Sequence, residues 1–328
     1  GTFIDVSMLD CQIAILENMP RLFTKLLSVG HFRRNSIYSG QKNNRLPPMT
    51  VITTSDEMRR TVGSWHAAGD TVCLVPTMGS IHAGHLALID AARQAARRVV
   101  VSIYVNPTQF AAGEDFASYP RNFQADQQAI DAAGGVNAIY APQTMYGDNH
   151  ATSIVPAGVA QPMEGASRPH FFTGVATIVF KLFQHVPANC AVFGEKDFQQ
   201  LAVLRQMVTD LDLPINLIAH PTIREADGLA LSSRNHYLSA RQRAIAPILY
   251  QTLGTCAGEI RAGGAIGETL DTAKARLLAA GFDKIDYLDL RDAVHLATST
   301  NASADDRLLV AAWLGETRLI DNCAVGGG

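Results

Sequence analysis

The chain has 328 residues, 47% of them hydrophobic, and a formal net charge of −3. That length supports a large core and predicts two domains, while the near-balanced charge excludes the basic surface expected of a nucleic-acid or anionic-membrane partner. Cys11, Cys73, Cys190, Cys256 and Cys323 are scattered with no C-x-x-C pair, so no zinc or redox motif is signalled and a reducing, cytoplasmic compartment is expected. No uninterrupted apolar run reaches the length of a membrane span.

Residues 1–48 lack sustained periodicity and turn polar and basic after Leu27. Arg33 and Arg34 suit a targeting peptide, whereas Asp5, Asp10 and Glu17 argue against one. The segment is expected to be an extension, disordered or outside the mature fold. The fold is read from Met49 onward.

From there strand and helix alternate. Apolar runs at Thr71–Thr77, Val99–Val105, Asn137–Ala141, Cys190–Gly194 and Ile215–Ile223 predict strands. Helical periodicity falls at Ala83–Ala96, Phe123–Ala133, Gly174–His185 and Asp197–Leu211. Alternation of this kind predicts an α/β domain over residues 49–223, with a parallel sheet covered on both faces. Past Glu225 the pattern changes. Ser239 and Gln242 form a capping box for a helix running toward Arg261, with a kink expected at Pro247. A helix over Ile266–Ala280, stopped by Gly281, precedes the strand-like runs KIDYLDLRD and RLLVAAWLG. Residues 224–322 are read as a smaller α+β domain, a candidate lid, and residues 323–328 as a tail.

Four polar segments stand out against this background. The first, VPTMGSIHAGH, joins a strand to a helix and carries His82 and His85 three apart. A helix N-terminus attracts anions, so the pair suits phosphate handling; the alternatives are structural histidines, or a metal pair with no recognisable third ligand. In YVNPTQF, Asn106 and Gln109 close a strand end, as turn chemistry or as a polar clamp for a small hydroxylated substrate. In FGEKDFQQL, Lys196 can reach a phosphate, Asp197 can meet a ribose or cap a helix, and Gln200 lies a turn further on; a solvated charge cluster is the plainer alternative. In DGLALSSRN, Ser232, Ser233 and Arg234 suit a polyphosphate or form a surface turn. The first three follow strands, where ligands bind in open α/β sheets. No Walker loop or G-x-G-x-x-G is present.

Together, in order, these segments resemble the pantothenate synthetase (pantoate–β-alanine ligase) family over about residues 49–322. The H-x-G-H element is similar to that of a wider nucleotidyltransferase superfamily. The resemblance implies a Rossmann-like ATP domain with a C-terminal lid, usually as a homodimer. It implies attack of pantoate's carboxylate on the α-phosphorus of ATP, then displacement of AMP by β-alanine. Met78, Gly79, His82, Gly84 and His85 would line ATP, with His85 the implied proton donor. Gly194, Glu195, Lys196, Asp197, Ile223, Leu231, Ser232, Ser233 and Arg234 would complete that site, His82, Lys196 and Arg234 acting on the phosphates. Gln109 and Gln200 would hold pantoate, with Asn106 beside them. Mg2+ would ride on the phosphates, and Asp126, after YPR, is a candidate contact.

One segment departs from the family. RPHFFTG, Arg168–Gly174, stands where R-P-G-H-F-R-G is expected, so His170, Phe171 and Thr173 replace glycine, histidine and arginine. Two competing readings follow: a nucleotidyltransferase that stops at adenylyl transfer, and a catalytically impaired nucleotide-binding protein of the same fold.

Overall fold

The computed structural model describes residues 49–111 and 113–327. The expectation for residues 1–48 lies outside the described residues. Six strands form one parallel sheet: β1 (Thr50–Ile52), β2 (Val72–Thr77), β3 (Arg98–Ile103), β4 (Ala138–Tyr140), β5 (Cys190–Gly194) and β6 (Asn216–His220). Their order is β1-β4-β3-β2-β5-β6. Helices α1 (Ser55–Ala67), α2 (Ala83–Ala95), α3 (Phe123–Ala133), α4 (Glu164–Ser167), α5 (Phe171–His185) and α6 (Phe198–Asp210) accompany the sheet.

Side-chain alternation along the strands explains why both faces are covered. Leu74 and Val100 join Met58 of α1, Ile178 and Leu182 of α5, and Leu204 of α6 in one core. Their neighbours Cys73, Val75, Val99 and Val101 join Ile89 of α2 and Ile130 of α3 in another. The chain reverses its direction of travel across the sheet between β2 and β5, which pair through Cys73–Cys190 and Leu74–Ala191. A crevice beyond the carboxyl ends of those two strands is the topological switch point.

The remaining elements are α7 (Ala240–Ile245), α8 (Ile248–Arg261), α9 (Ile266–Ala280), β7 (Lys284–Arg291), β8 (Arg307–Leu314) and β9 (Thr317–Ala324). The last three form an antiparallel sheet in the order β7-β8-β9. Leu253 and Ile260 of α8 and Leu277 of α9 pack on Leu288, Leu308 and Val310 to give this sheet its own core. The expected α/β fold with a smaller α+β part is thus what the chain forms.

Four expectations need correction. Helix α1 falls outside the expected elements because only Met58 and Val62, one turn apart, are buried on an otherwise polar segment. The helix expected from Ser239 to Arg261 divides into two at Pro247, which lacks an N–H and stands at the N-cap of α8. The expected strand Ile215–Ile223 stops at His220, before Pro221. The expected tail from residue 323 belongs in part to the fold: β9 runs to Ala324, which pairs with Arg307, and Val325 is buried with its N–H on the Asp306 carbonyl. Among the described residues no helix is long and apolar enough to cross a membrane.

Candidate active site

A cleft of about 350 Å³ opens at the switch point. Its walls come from the turns after β2, β3 and β5, from α5, from the segment around residues 229–235, and from β9. That volume is within the range of small-molecule sites.

The turn after β2 is built around two successive residues in the left-handed region, Gly79 at φ 85° and Ser80 at φ 53°. This conformation directs neighbouring N–H groups to one side, forming an anion-binding concavity. The buried Asp126 of α3 fills it: its carboxylate accepts from Ser80 N at 3.0 Å and Ile81 N at 2.8 Å. A β-carbon on Gly79 would lie 2.7 Å from Asp126 Oδ2, so the position requires glycine on two counts. Asp126, a candidate magnesium contact from the resemblance, thus has one backbone N–H on each carboxylate oxygen and braces the turn. We expect Asp126→Ala to destabilise the fold by about 1–3 kcal/mol, since two part-buried donors lose their acceptor. Asp126→Asn should leave the magnesium concentration for half-maximal activity unchanged within about twofold, as no direct charge contact is lost. Chemical unfolding and a magnesium titration check both; a tenfold shift in the titration with unaltered stability would support the metal contact.

His82 is the N-cap of α2, and the two histidines form a reciprocal cap. His82 Nδ1 accepts from Gly84 N at 3.1 Å, while His82 N donates to His85 Nδ1 at 3.3 Å. With both Nδ1 atoms accepting, the ring protons sit on the Nε2 atoms. Burial, then His82 and Lys196, push His85 down to about 3. Burial and Lys196 also hold His82 below the ordinary histidine value. Both rings are therefore neutral near pH 7. A neutral His85 offers an N–H hydrogen bond rather than a formal positive charge.

The turn after β3, Pro107–Gln109, carries the amide pair. Asn106 is only 1% exposed, and its amide is engaged at both ends. Nδ2 donates to Gln109 Oε1 at 3.1 Å and the Gly174 carbonyl at 3.2 Å, while Oδ1 accepts from the Tyr146 hydroxyl at 2.8 Å and the Thr108 hydroxyl at 3.0 Å. Asn106 therefore lines the cleft with its amide held by protein groups, one of them the Gln109 side chain. Gln109 keeps Nε2 near Met78 Sδ, at 3.1 Å. Gln200, in the first turn of α6, lines the same cleft.

After β5, Lys196 faces the cleft, with Asp197 Oδ2 3.8 Å from its ammonium. Gly194 and Asp197 also line it, as do Ile223 and Leu231. Glu195 points elsewhere, to Arg307 at 3.1 Å. Ser232 caps the short turn that follows it, accepting from Arg234 N at 3.3 Å. The Ser233 hydroxyl meets that of Tyr119 at 3.3 Å, and Arg234 meets Asp115 at 2.9 Å. Met78, Gly84 and both histidines complete the lining, whereas Gly79, Glu195 and Asp126 stand behind it.

The departing segment forms the start of α5. Arg168 donates to Glu114 at 2.7 Å, to Glu164 at 2.9 Å and to the Gln109 carbonyl at 3.0 Å. Burial alone would raise the Glu114 carboxyl, but Arg168 holds it below the usual carboxylate range. Arg318 of β9 reaches the same Glu164 at 2.8 Å. Gly174 packs so closely that a β-carbon there would overlap the Thr108 carbonyl. Thus Arg168 and Gly174 brace the Gln109 turn although His170, Phe171 and Thr173 differ from the family pattern. This bracing set was not anticipated, because its members are spread from Glu114 to Arg318 and share no local motif.

Among the described residues no three His, Cys, Asp or Glu side chains form a metal centre. A magnesium ion arriving with a nucleotide needs few protein ligands, because the phosphates and water supply the rest.

A parallel sheet with a histidine-capped helix at its switch point, facing a lysine and an arginine, defines a nucleotide-binding α/β enzyme. The family model described as pantoate-beta-alanine ligase matches residues 50–324, and the chain belongs to that family. Pantothenate synthetase of Caulobacter vibrioides is 49% identical over 281 residues, which are 84% of this chain and 98% of that protein. Its counterpart in Bradyrhizobium sp. is 50% identical over 279 residues, covering 84% and 98%. The crystal structure of pantothenate synthetase from Thermus thermophilus superposes with a TM-score of 0.79 at 41% identity, covering 84% of this chain and 99% of that one. The structure of pantoate-beta-alanine ligase from Francisella tularensis, complexed with beta-gamma ATP and beta-alanine, gives a TM-score of 0.72 at 31% identity, covering 85% and 99%.

Proposed function

We propose that this chain condenses (R)-pantoate with β-alanine at the expense of ATP, releasing pantothenate, AMP and diphosphate through a pantoyl adenylate. The observation that carries the reading is the cleft itself: His82, His85, Lys196 and Arg234, suited to phosphate, line one cavity together with the amides Gln109 and Gln200. A carboxylate is a poor acyl donor because oxide is a poor leaving group. Transfer to AMP replaces that leaving group with a good one. The neutral histidine N–H groups, the ammonium and the guanidinium suit the charge that develops on phosphate oxygens during that transfer. The two amides match a carboxylate and hydroxyls on a small substrate. Holding both substrates against one phosphorus supplies proximity.

The finer assignments follow from the same reading. Met78–His85, Gly194–Asp197, Ile223 and Leu231–Arg234 surround the nucleotide, Gln109 and Gln200 hold pantoate, and Mg2+ enters bound to ATP. Residues 49–223 are the ATP and pantoate domain, and residues 224 to about 325 are the second domain; the separate cores of the two sheets support this division. A homodimer in the cytoplasm is the assembly and setting that the family resemblance implies.

AMP release from ATP and pantoate, with and without β-alanine, tests the reaction. Steady AMP formation that requires both co-substrates is expected. Steady AMP formation without β-alanine would indicate an enzyme that stops at adenylyl transfer. ATP binding without turnover would indicate the impaired protein that the altered segment at residues 170–173 raises.

A further inference from the structure

Asn322 lies on β9, is only 4% exposed, and belongs to the sheet that carries no sequence-predicted catalytic group. Its side chain leaves that sheet. Nδ2 donates to the carbonyl of Glu195 at 2.9 Å and to the carbonyl of Lys196 at 3.0 Å. Two amide hydrogens meet two successive carbonyls, which fixes which end of the amide faces the turn. A neighbouring strand holds the same turn a second time, through Arg307 to Glu195 at 3.1 Å. Asn322 is itself anchored: Arg224 donates to both oxygens of Asp321, at 2.7 and 2.9 Å, and to the Asn322 carbonyl at 3.3 Å.

The Lys196 ammonium has one charged neighbour among the described ion pairs, Asp197 at 3.8 Å. That is too long for a hydrogen bond that would fix it. With no such bond, the backbone of its turn sets where the side chain starts and so which space the ammonium can reach. We infer that Asn322 is a positioning residue for Lys196: through this amide the C-terminal sheet sets where the ammonium stands in the nucleotide site. The inference rests on the reading of Lys196 as a phosphate-contacting group. It also joins this edge of the second domain to the site through two hydrogen bonds and an ion pair.

The test is a double-mutant cycle between Asn322→Asp and Lys196→Ala. Aspartate keeps the shape but sets a carboxylate oxygen against the two carbonyls. Asn322→Asp should lower kcat for adenylate formation by on the order of 10²-fold, the cost of misplacing a catalytic group by about 1 Å. The KM for ATP should change far less. In the Lys196→Ala background the same substitution should cost less than about twofold, because neighbours acting through one group are not additive. Arg307→Gln, which releases the turn at Glu195, should show the same coupling if Asn322→Asp does not fold. Equal losses in both backgrounds would overturn the inference. If Lys196→Ala alone leaves the rate unaltered, the functional reading of Lys196 fails instead. The positioning is then decided by the acetylation rate of the Lys196 amine in the folded protein. A several-fold change in Asn322→Asp, with Lys274 and Lys284 unaffected, supports it, and no change overturns it.

Discussion

Replacing His85 by alanine is expected to lower the rate of adenylate formation by about 10²–10³ while ATP affinity changes no more than a few-fold. The argument starts from the reciprocal cap of α2. His85 Nδ1 accepts from His82 N, so its one proton is on Nε2, and the residue lines the cleft. Burial, His82 and Lys196 lower its pKa to about 3. A neutral donor already in place strengthens its hydrogen bond as charge builds on a phosphate oxygen, and contributes little in the ground state. Single-turnover rates and nucleotide binding separate the two effects; equal losses in both would make His85 a simple binding residue. The pH dependence follows with a definite sign. Between about 3 and the ordinary value of 6.5 the unfolded chain binds a proton at His85 that the folded chain does not. The contribution of this ring to stability is complete above 6.5 and is lost as pH falls toward 3. Comparison with His85→Gln should show it as a relative loss of up to ~1.4 kcal/mol per pH unit in acid. Likewise, kcat/KM for ATP should show no acid limb near 6.5 belonging to His85, because the free enzyme holds the ring neutral there. A limb at that pH that disappears in His85→Gln would refute the assignment.

What made His82 and His85 legible in sequence was locality. A strand, a glycine turn and a helix start within one short segment oblige the two rings to share a cap, and the periodicity of the flanking residues reveals each element. The same holds for Lys196 after β5. Asp126 shows where locality ends. The family resemblance implies a candidate metal contact there, but that its carboxylate meets amides 45 and 46 residues away is something no spacing rule encodes. For Asn106 type and place leave turn chemistry and a substrate clamp both open; only the assembled structure shows Tyr146, Thr108 and Gly174 meeting its amide. Asn322 lies 126 residues from Lys196 in the chain, on a strand whose existence went unread because its short alternation merged with the glycine-rich end. Motifs thus identify groups that a single turn brings to the cleft. The residues that hold those turns in place are found only when the sheets are assembled.

The order of bond making gives the sharpest expected result. Pantoate labelled with heavy oxygen at its carboxylate, turned over with ATP, magnesium and β-alanine, should pass one labelled oxygen to AMP and none to diphosphate. Attack at the α-phosphorus forms a bond from that oxygen to phosphorus and breaks the bond to diphosphate. The amine of β-alanine then forms the amide, and the labelled oxygen leaves with AMP. The cleft favours this course. The histidine-capped start of α2 and Lys196 face one another across the crevice at β2 and β5, and Ser232–Arg234 supply further donors for a departing polyphosphate. Attack at the γ-phosphorus would give an acyl phosphate, ADP as the nucleotide product and label in inorganic phosphate. Phosphoryl transfer of that type usually relies on a glycine-rich loop whose lysine reaches the β- and γ-phosphates, and the sequence has no such loop. Mass spectrometry of the nucleotide and phosphate products distinguishes the two routes. ADP, or label in inorganic phosphate, would overturn the adenylate mechanism and the roles assigned to His85, Lys196 and Arg234.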